Sequence, residues 1–461
     1  MKDWTGMRIL MIGGARQGIA TARFLAQRGA IVTINDQHSS EQMEAARQSL
    51  AGLPVQWLLG EHPLSLLEGT DLVCVSGGVP LTLPLISEAF RRGLPVTNDS
   101  QIFMEAVPCQ VIGITGSAGK TTTTTLVGRM AQAAAQAATT RVWVGGNIGL
   151  PLIDHLDEIA PADRVVLELS SFQLELMTRS PQVAAVLNIT PNHLDRHGTM
   201  AAYSAAKARI LAYQSKEDTA VLNREDPGSW SLSDQVAGRL VSFGFQRPDA
   251  GQTGTFVEND RVMLQSADGE QALFSTDLVR LRGRHNLANV VAACAIATAA
   301  GYPPAAMAAG VAGFNGVPHR LEWVGAWNGA QWINDSIATA PERTMAAIRS
   351  FHEPLVLLLG GRDKVLPWGE LADLVHQRVD HVVVFGEAAP KILQSMGPQQ
   401  GGRRPFTMER CSGLQEAVQA AARVASAGDV VLLSPGGTSF DEFIDFEERG
   451  ERFRKWVKQL S

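Results

Sequence analysis

Alternating apolar runs and helical stretches predict an α/β chain of three domains. These are a Rossmann-like N-terminal domain, a central P-loop ATPase-type parallel sheet with a small antiparallel sheet, and a Rossmann-like C-terminal domain. Three observations carry this reading. A strand, a glycine turn and a helix open the chain. Gly116-Ser117-Ala118-Gly119-Lys120-Thr121 follows the apolar run Val111–Ile114. Further apolar strands alternate with helical stretches from Pro354 to Ser434. Length agrees, since 461 residues at ~150 per domain make about three. The expected boundaries are 1–108, 109–315 and 316–461.

In the first segment Arg8–Ile12 reads as a strand, Gly13-Gly14-Ala15-Arg16-Gln17-Gly18 as its turn, and Ile19–Arg28 as a helix closed by Gly29. Ala30–Asp36 is the next strand, completing a Rossmann-type opening. Ala15 stands where the dinucleotide fingerprint has its second glycine, and its methyl hinders close approach of a pyrophosphate. Asp36 ends its strand where a ribose-binding acid sits, so a dehydrogenase stays open on this segment alone. Asp71–Ser76 is a further strand, and Ser76-Gly77-Gly78 at its carboxyl end is either a ligand loop or a plain turn.

The central segment carries the strongest motif. Glycines let backbone N–H groups face an anion, the helix start adds partial positive charge, and Lys120 adds a full one. Thr121 is placed to offer a hydroxyl to Mg²⁺. Ile114 stands where the longer P-loop pattern has its first glycine, leaving the short form G-x-x-G-K-T. The loop predicts a nucleoside triphosphate site without saying what the triphosphate is used for. Val144-Gly145-Gly146-Asn147-Ile148-Gly149 is a glycine turn carrying one amide. Arg164–Leu169 is a strand whose Glu168 is a candidate Mg²⁺ ligand. Val183–Thr190 is another strand, and Asn192-His193-Leu194-Asp195-Arg196-His197 behind it points to the ligand edge. No cysteine lies near it, and zinc is not expected.

Thr199 caps a helix expected over Met200–Gln214. Lys207 lies on its apolar face with Met200, Tyr203, Ile210 and Leu211. It is either a snorkelling lysine or a partly buried amine of lowered pKa. Gly251–Leu273 alternates and predicts exposed hairpins. Arg282–Asn289 opens a small-residue helix with Asn286 and Asn289 on one face.

In the last segment Pro354–Leu359, Val382–Gly386 and Asp429–Ser434 are strands of a second Rossmann-like sheet. The glycines of Ser434–Phe440 free backbone N–H groups before a helix, which suits a carboxylate.

Net charge is −6, which argues against nucleic acid as a partner. Four cysteines lie far apart, fitting a reducing compartment and neither a disulfide frame nor a zinc site. No apolar run reaches membrane-spanning length, and Met1–Gly6 lacks the start of a signal peptide. A cytoplasmic protein without membrane insertion is expected.

In order along the chain, these motifs resemble the Mur ligases: the short phosphate loop, Gly145–Gly149, Glu168–Gln173, Asn192–His197, Lys207 and Gly283-Arg284-His285-Asn286. Pro318-His319-Arg320, Asn334-Asp335-Ser336 and Gly360-Gly361-Arg362-Asp363-Lys364 extend the resemblance over nearly the whole chain. The family makes amide bonds with ATP in peptidoglycan precursor synthesis. The first domain and Leu433–Gly450 resemble the branch that adds D-glutamate to UDP-N-acetylmuramoyl-L-alanine. L-Glutamate or a folylpolyglutamate-type acceptor is the alternative.

The resemblance implies roles. Gly116, Ser117, Ala118, Gly119, Lys120, Thr121, Thr122, Asn286, Asn289, His319, Arg320 and Asp335 would bind ATP. Thr121 and Glu168 would serve one Mg²⁺, and His193 and carbamylated Lys207 a second, with Mn²⁺ as a substitute. Asn35, Asp36, Ser76, Gly77, Gly78, Asn147, Ser170 and Gln173 would face the uridine substrate. Thr339, Lys364, Ser439, Phe440 and Phe446 would face the amino acid. Lys120, His193, Lys207 and Lys364 would serve the chemistry, and the enzyme would be a monomer. Ile337 stands where many relatives have lysine, leaving charge neutralisation to Lys364, Arg362 or a metal.

Overall fold

The computed structural model describes residues 2–135, 140–149, 151–192, 194–281, 283–363, 366–399 and 401–460. They divide into two compact units, Met1–Phe314 and Asn315–Ser461. The first unit holds two sheets and the second holds one.

The first sheet contains β1 (Arg8–Ile12), β2 (Ile31–Asp36), β3 (Val55–Leu59), β4 (Leu72–Val75) and β5 (Val96–Asn98). Its order is β3-β2-β1-β4-β5, and every pairing is parallel. Parallel sheets are covered on both faces, and β4 accordingly is buried throughout. The chain reverses direction of travel between β1 and β4, where such sheets bind ligands. Register puts Ile12 beside Asn35 and Val75, so the Gly13 turn, Asp36 and Ser76 share one edge.

The second sheet contains β6 (Gln110–Thr115), β7 (Val142–Gly146), β8 (Arg164–Glu168), β9 (Val183–Val186), β10 (Thr219–Asn223), β11 (Arg239–Phe243), β12 (Thr253–Glu258), β13 (Arg261–Ser266) and β14 (Gly269–Ser275). Its order is β14-β13-β12-β11-β10-β9-β6-β8-β7. The expected small antiparallel part is present and continues the parallel sheet. β12 pairs in parallel with β11, then folds back through Asn259-Asp260, so β13 and β14 extend the same sheet. Ile114 lies level with Glu168 and Ala185. The phosphate loop, Glu168 and the end of β9 therefore emerge together.

Polar contacts join the two sheets of the first unit. Gln17 Nε2 donates to the Gly146 carbonyl at 2.9 Å, Arg23 Nη1 meets Asp154 at 2.8 Å, and Asn98 Nδ2 donates to the Gln173 carbonyl at 2.6 Å.

The second unit contains β15 (Glu322–Trp327), β16 (Ala330–Asn334), β17 (Leu355–Gly360), β18 (His381–Phe385), β19 (Thr407–Arg410) and β20 (Val430–Gly436). Its order is β15-β16-β20-β17-β18-β19, parallel except for the β15–β16 hairpin. Asn334 sits beside Leu433, and Gly360 beside Gly436, so the loops after β16, β17 and β20 gather at one edge.

One expected helix is shorter than its periodicity suggests. It spans Met200–Ala208, and the amides of Ile210, Leu211 and Ala212 then bond three residues back instead of four. The apolar spacing persists through this tightened turn, which is why sequence alone extends the helix. The four cysteines, Cys74, Cys109, Cys294 and Cys411, are all buried free thiols. No helix among the described residues is long and apolar enough to cross a membrane.

Candidate active site

The phosphate loop leaves β6 at Thr115 and turns into the helix Lys120–Ala135. Gly119 has φ of +82°, a left-handed conformation that favours glycine. A Cβ there would also collide with Asn289 Oδ1, so the helix Arg284–Ala299 lies against the loop. Asn289 Nδ2 in turn donates to Asn286 Oδ1 at 3.3 Å, bringing both expected asparagines to one place.

Residues beyond β9 shape the loop. Asn188 Oδ1 accepts from the Ala118 amide at 2.8 Å, and its Nδ2 donates to the Ala118 carbonyl at 3.1 Å. Ser117 Oγ meets the Thr190 carbonyl and the Tyr203 hydroxyl, each at 2.9 Å. The sequence puts Asn188 in an expected strand and Tyr203 on the helix face shared with Lys207, but gives no sign that either side chain shapes the loop.

Two lysines converge on the start of the loop. Lys120 Nζ donates to the Gly116 carbonyl at 2.9 Å, and Lys207 Nζ donates to the same oxygen at 3.0 Å. Lys207 is 1% exposed, with its ammonium 4.8 Å from the Tyr203 ring centre. It is therefore a buried amine and does not snorkel. Burial, reinforced by the Lys120 charge and opposed by Glu168, pushes its pKa down to about 7.

Glu168, at the end of β8, is 2% exposed. Its Oε1 accepts from Asn147 Nδ2 at 3.0 Å, while its Oε2 meets no hydrogen-bond donor. Gly146, with φ of +96°, lets β7 pass against the Glu168 carbonyl where a Cβ would not fit. An orphaned buried carboxylate oxygen beside a phosphate loop fits a hard divalent cation. No cluster of three or more His, Cys, Asp or Glu forms among the described residues. A hard divalent cation of small radius takes few protein ligands and completes its shell with phosphates and water, so one free carboxylate oxygen beside the loop is a fitting donor.

His193 and Lys364 lie outside the described residues. His197, four positions after His193, has both ring nitrogens engaged. Nε2 meets Ser171 Oγ at 2.9 Å and Nδ1 meets Glu175 at 3.0 Å, with the ring stacked on Phe172. It fastens the loop to the helix Ser171–Leu174.

Ser170 and Gln173 form a reciprocal capping box on that helix. Gln173 Nε2 also donates to Ser100 Oγ at 2.8 Å. Gly77 approaches the Gln173 side chain, and Arg196 Nη1 reaches the Gly78 carbonyl at 3.4 Å. Ser76–Gly78, Ser170 and Gln173 thus face one region. Asn35 is buried, with its amide bound to the Leu58 and Glu61 carbonyls and its oxygen to His62. Asp36 accepts from the Gly14 amide at 2.6 Å and from the His38 ring at 2.6 Å. Burial works to raise its pKa, but these bonds prevail and hold it below the usual carboxylate range.

In the second unit, His319 is buried with φ of +64°. Asn334 Nδ2 donates to its Nδ1 at 3.1 Å. Burial pushes the His319 pKa down, against the pull of Glu322. Asp335 Oδ2 accepts from Ser434 Oγ at 2.8 Å and Oδ1 from the Leu321 amide at 3.2 Å. Burial raises its pKa to about 7 against those bonds. Arg320 is exposed next to His319, while Thr339 and Ile337 are half-buried. Ser439 is buried, Phe440 is 59% exposed, and the Phe446 ring lies 6.2 Å from His319.

Arg449 is a further residue that sequence reasoning passed over. It is fully buried, and its guanidinium donates to Ser336 Oγ at 3.0 Å, the Ser336 carbonyl at 2.8 Å and the Gly437 carbonyl at 3.1 Å. It ties the loops after β16 and β20 together. Only its place in the acid- and glycine-rich stretch Leu433–Gly450 could have drawn attention to it.

Three family models match the chain. The Mur ligase MurD-like N-terminal domain matches residues 7–98, the Mur ligase middle domain 114–297, and the Mur ligase glutamate ligase domain 319–437. The chain belongs to the Mur ligase family. It is 40% identical to the UDP-N-acetylmuramoylalanine–D-glutamate ligase of Symbiobacterium thermophilum, covering 98% of each chain. It is 39% identical to the ligase of that name from Pelotomaculum thermopropionicum, covering 100% of this chain and 99% of the relative. Among solved structures it shares the fold of the UDP-N-acetylmuramate-alanine ligase of Thermotoga maritima, with a TM-score of 0.55 at 20% identity, covering 99% of this chain and 100% of that one.

Proposed function

We propose that the chain joins D-glutamate to UDP-N-acetylmuramoyl-L-alanine at the expense of ATP, releasing ADP and phosphate, as a cytoplasmic monomer. The relatives' shared name supports the substrates. The observation that carries the chemistry is the meeting of Lys120 and Lys207 at Gly116, in the sheet that also ends in the buried Glu168. We assign the uridine substrate to residues 1–108, ATP to 109–315, and the amino acid to 316–461, which also completes the ATP site.

The substrate carboxylate attacks the γ-phosphorus, ADP leaves, and an acyl phosphate forms. The glutamate amine then attacks the acyl carbon, and the tetrahedral oxyanion collapses to an amide as phosphate leaves. Lys120 and the helix N-terminus hold the phosphate oxygens and offset charge on the transferring group. Thr121 and Glu168 Oε2 would hold one Mg²⁺, and His193 with Lys207, once carbamylated by CO₂, a second; Mn²⁺ fits the same oxygens. Those ions supply charge neutralisation when bound. Asn286, Asn289, His319, Arg320 and Asp335 are assigned to the nucleotide, and Thr339, Lys364, Ser439, Phe440 and Phe446 to glutamate. No protein nucleophile is required.

The test is phosphate release from ATP with UDP-N-acetylmuramoyl-L-alanine and either D- or L-glutamate. Release with D-glutamate alone is expected. Equal release with L-glutamate would overturn the substrate assignment.

A further inference from the structure

A cavity of about 590 Å³ lies under the linker Val107-Pro108-Cys109, which joins the helix Asp99–Ala106 to β6. It sits at the amino ends of β6 and β8, where Gln110 and Arg164 begin their strands. The phosphate loop is at the other end of β6, roughly 20 Å away at ~3.3 Å per residue.

The cavity's chemistry is one-sided. Among the described residues, Arg164 and Arg179 are its charged lining residues and no acid lines it. Gln110, Ser180, Gln182 and Tyr213 add polar groups. Each arginine is held by one end only. Arg164 Nη1 donates to the Ala162 and Asp163 carbonyls at 3.0 and 2.9 Å, and Arg179 Nη1 to the Met104 and Glu105 carbonyls at 3.1 and 3.4 Å.

The nearby acids are occupied elsewhere. Asp163 accepts from Trp143 Nε1 and from the Arg141 and Ala160 amides, and Glu105 accepts from Gln101 Nε2. Gln182 Oε1 accepts from the Val111 amide at 2.8 Å, leaving its NH₂ as a donor. Tyr213 OH accepts from Arg209 Nη2 at 3.1 Å, leaving its proton to give.

Two guanidiniums with unspent N–H groups, an amide and a phenol in one ligand-sized cavity suit bidentate binding of anions. We propose that this cavity binds a small polyanion carrying at least two phosphate or carboxylate groups, at a site separate from the phosphate loop. Its occupant bridges the end of the helix Asp99–Ala106, through Arg179, and the foot of β8, through Arg164. It thereby stiffens the linker between the first and second sheets.

The test is titration calorimetry of the full chain in metal-free buffer with citrate, and with inorganic pyrophosphate in a Lys120→Ala background that disables the phosphate loop. Saturable binding of at least one probe is expected, and which one binds tells carboxylate from phosphate. The Arg164→Gln/Arg179→Gln double variant should weaken it by about tenfold or more, and added NaCl should weaken it as well. Binding that survives the double variant, loss of citrate binding in Lys120→Ala, or no binding of either probe would overturn the proposal. Hydrogen exchange on the unaltered chain covers the case of a misfolded variant. The bound probe should protect residues 104–111, and unchanged exchange there counts against the site. None of these readouts depends on ligase activity.

Discussion

At the residue scale, the proposed chemistry rests on the two lysines that meet at the Gly116 carbonyl. Lys120→Ala should abolish phosphate release, and wild-type-like turnover in that variant would sink the mechanism. Lys207→Ala should lose activity and regain part of it with added short carboxylates, which stand in for a carbamate; independence from Lys207 would remove that role. With its pKa pushed down to about 7, the amine is mostly neutral above that pH and mostly ammonium below it. Only the neutral amine takes up CO₂, so carbamylation should fall as pH drops through about 7, read by ¹³C NMR of labelled carbonate. Asp335 carries the opposite sign. Its folded pKa, about 7, lies above its ordinary 3.8, so the folded state holds an extra proton between those values. Its stabilising contribution is whole below about 4 and is lost as pH rises through about 7. Asp335→Asn should flatten that part of the urea-unfolding profile. At this scale the sequence marked Lys120 in the phosphate loop and Glu168 at the end of an apolar run, and put Lys207 on an apolar helix face without deciding whether its amine is buried. It concealed Asn188, Tyr203 and Arg449, whose roles come from contacts across many residues of chain.

At the element scale, glycine geometry and caps fix the edges of the site. Gly119→Ala would impose left-handed strain and a collision with Asn289, costing about 1–2 kcal/mol of stability. Nucleotide affinity, measured by calorimetry, should fall by about tenfold with it. Gln173→Ala would break the capping box and the link to Ser100 together, lowering stability by about 1–2 kcal/mol in urea unfolding. The parallel strands were legible as unbroken apolar runs, since burial on both faces leaves no alternation to read. The β15–β16 hairpin was not extracted, although Asn328 and Gly329, with φ of +49° and +78°, form the tight turn that an Asn-Gly pair announces. The polar positions in the edge strand β15 and in β16 beside it masked it.

At the scale of the whole molecule, the three mainly parallel sheets and their order along the chain were legible, while the continuity of the small antiparallel part with the second sheet was not. Nor was the compaction of the sheets. The first two sheets form one unit because one apolar core runs from Ile9, Phe24 and Phe103 to Leu152, Ile153 and Val165, with Gln17, Arg23 and Asn98 adding polar contacts across, and such contacts have no local signature. The expected consequence is cooperative loss of both. Arg23→Ala with Asn98→Ala should lower the midpoint for the first two sheets and leave the third unchanged, as followed by hydrogen exchange. A uniform shift in all three would contradict the division.

The buried thiols give the molecule its own set of timers. Cys74 lies on β4, Cys109 at the linker, Cys294 in the helix Arg284–Ala299 and Cys411 just beyond β19; all four are buried, and Cys109 also lines the linker cavity. A thiol reagent can therefore reach Cys74, Cys294 and Cys411 only when their surroundings open, and should reach Cys109 first, through the cavity. The order in which the other three are modified, read by mass spectrometry, ranks the regions by their local unfolding without any engineered label.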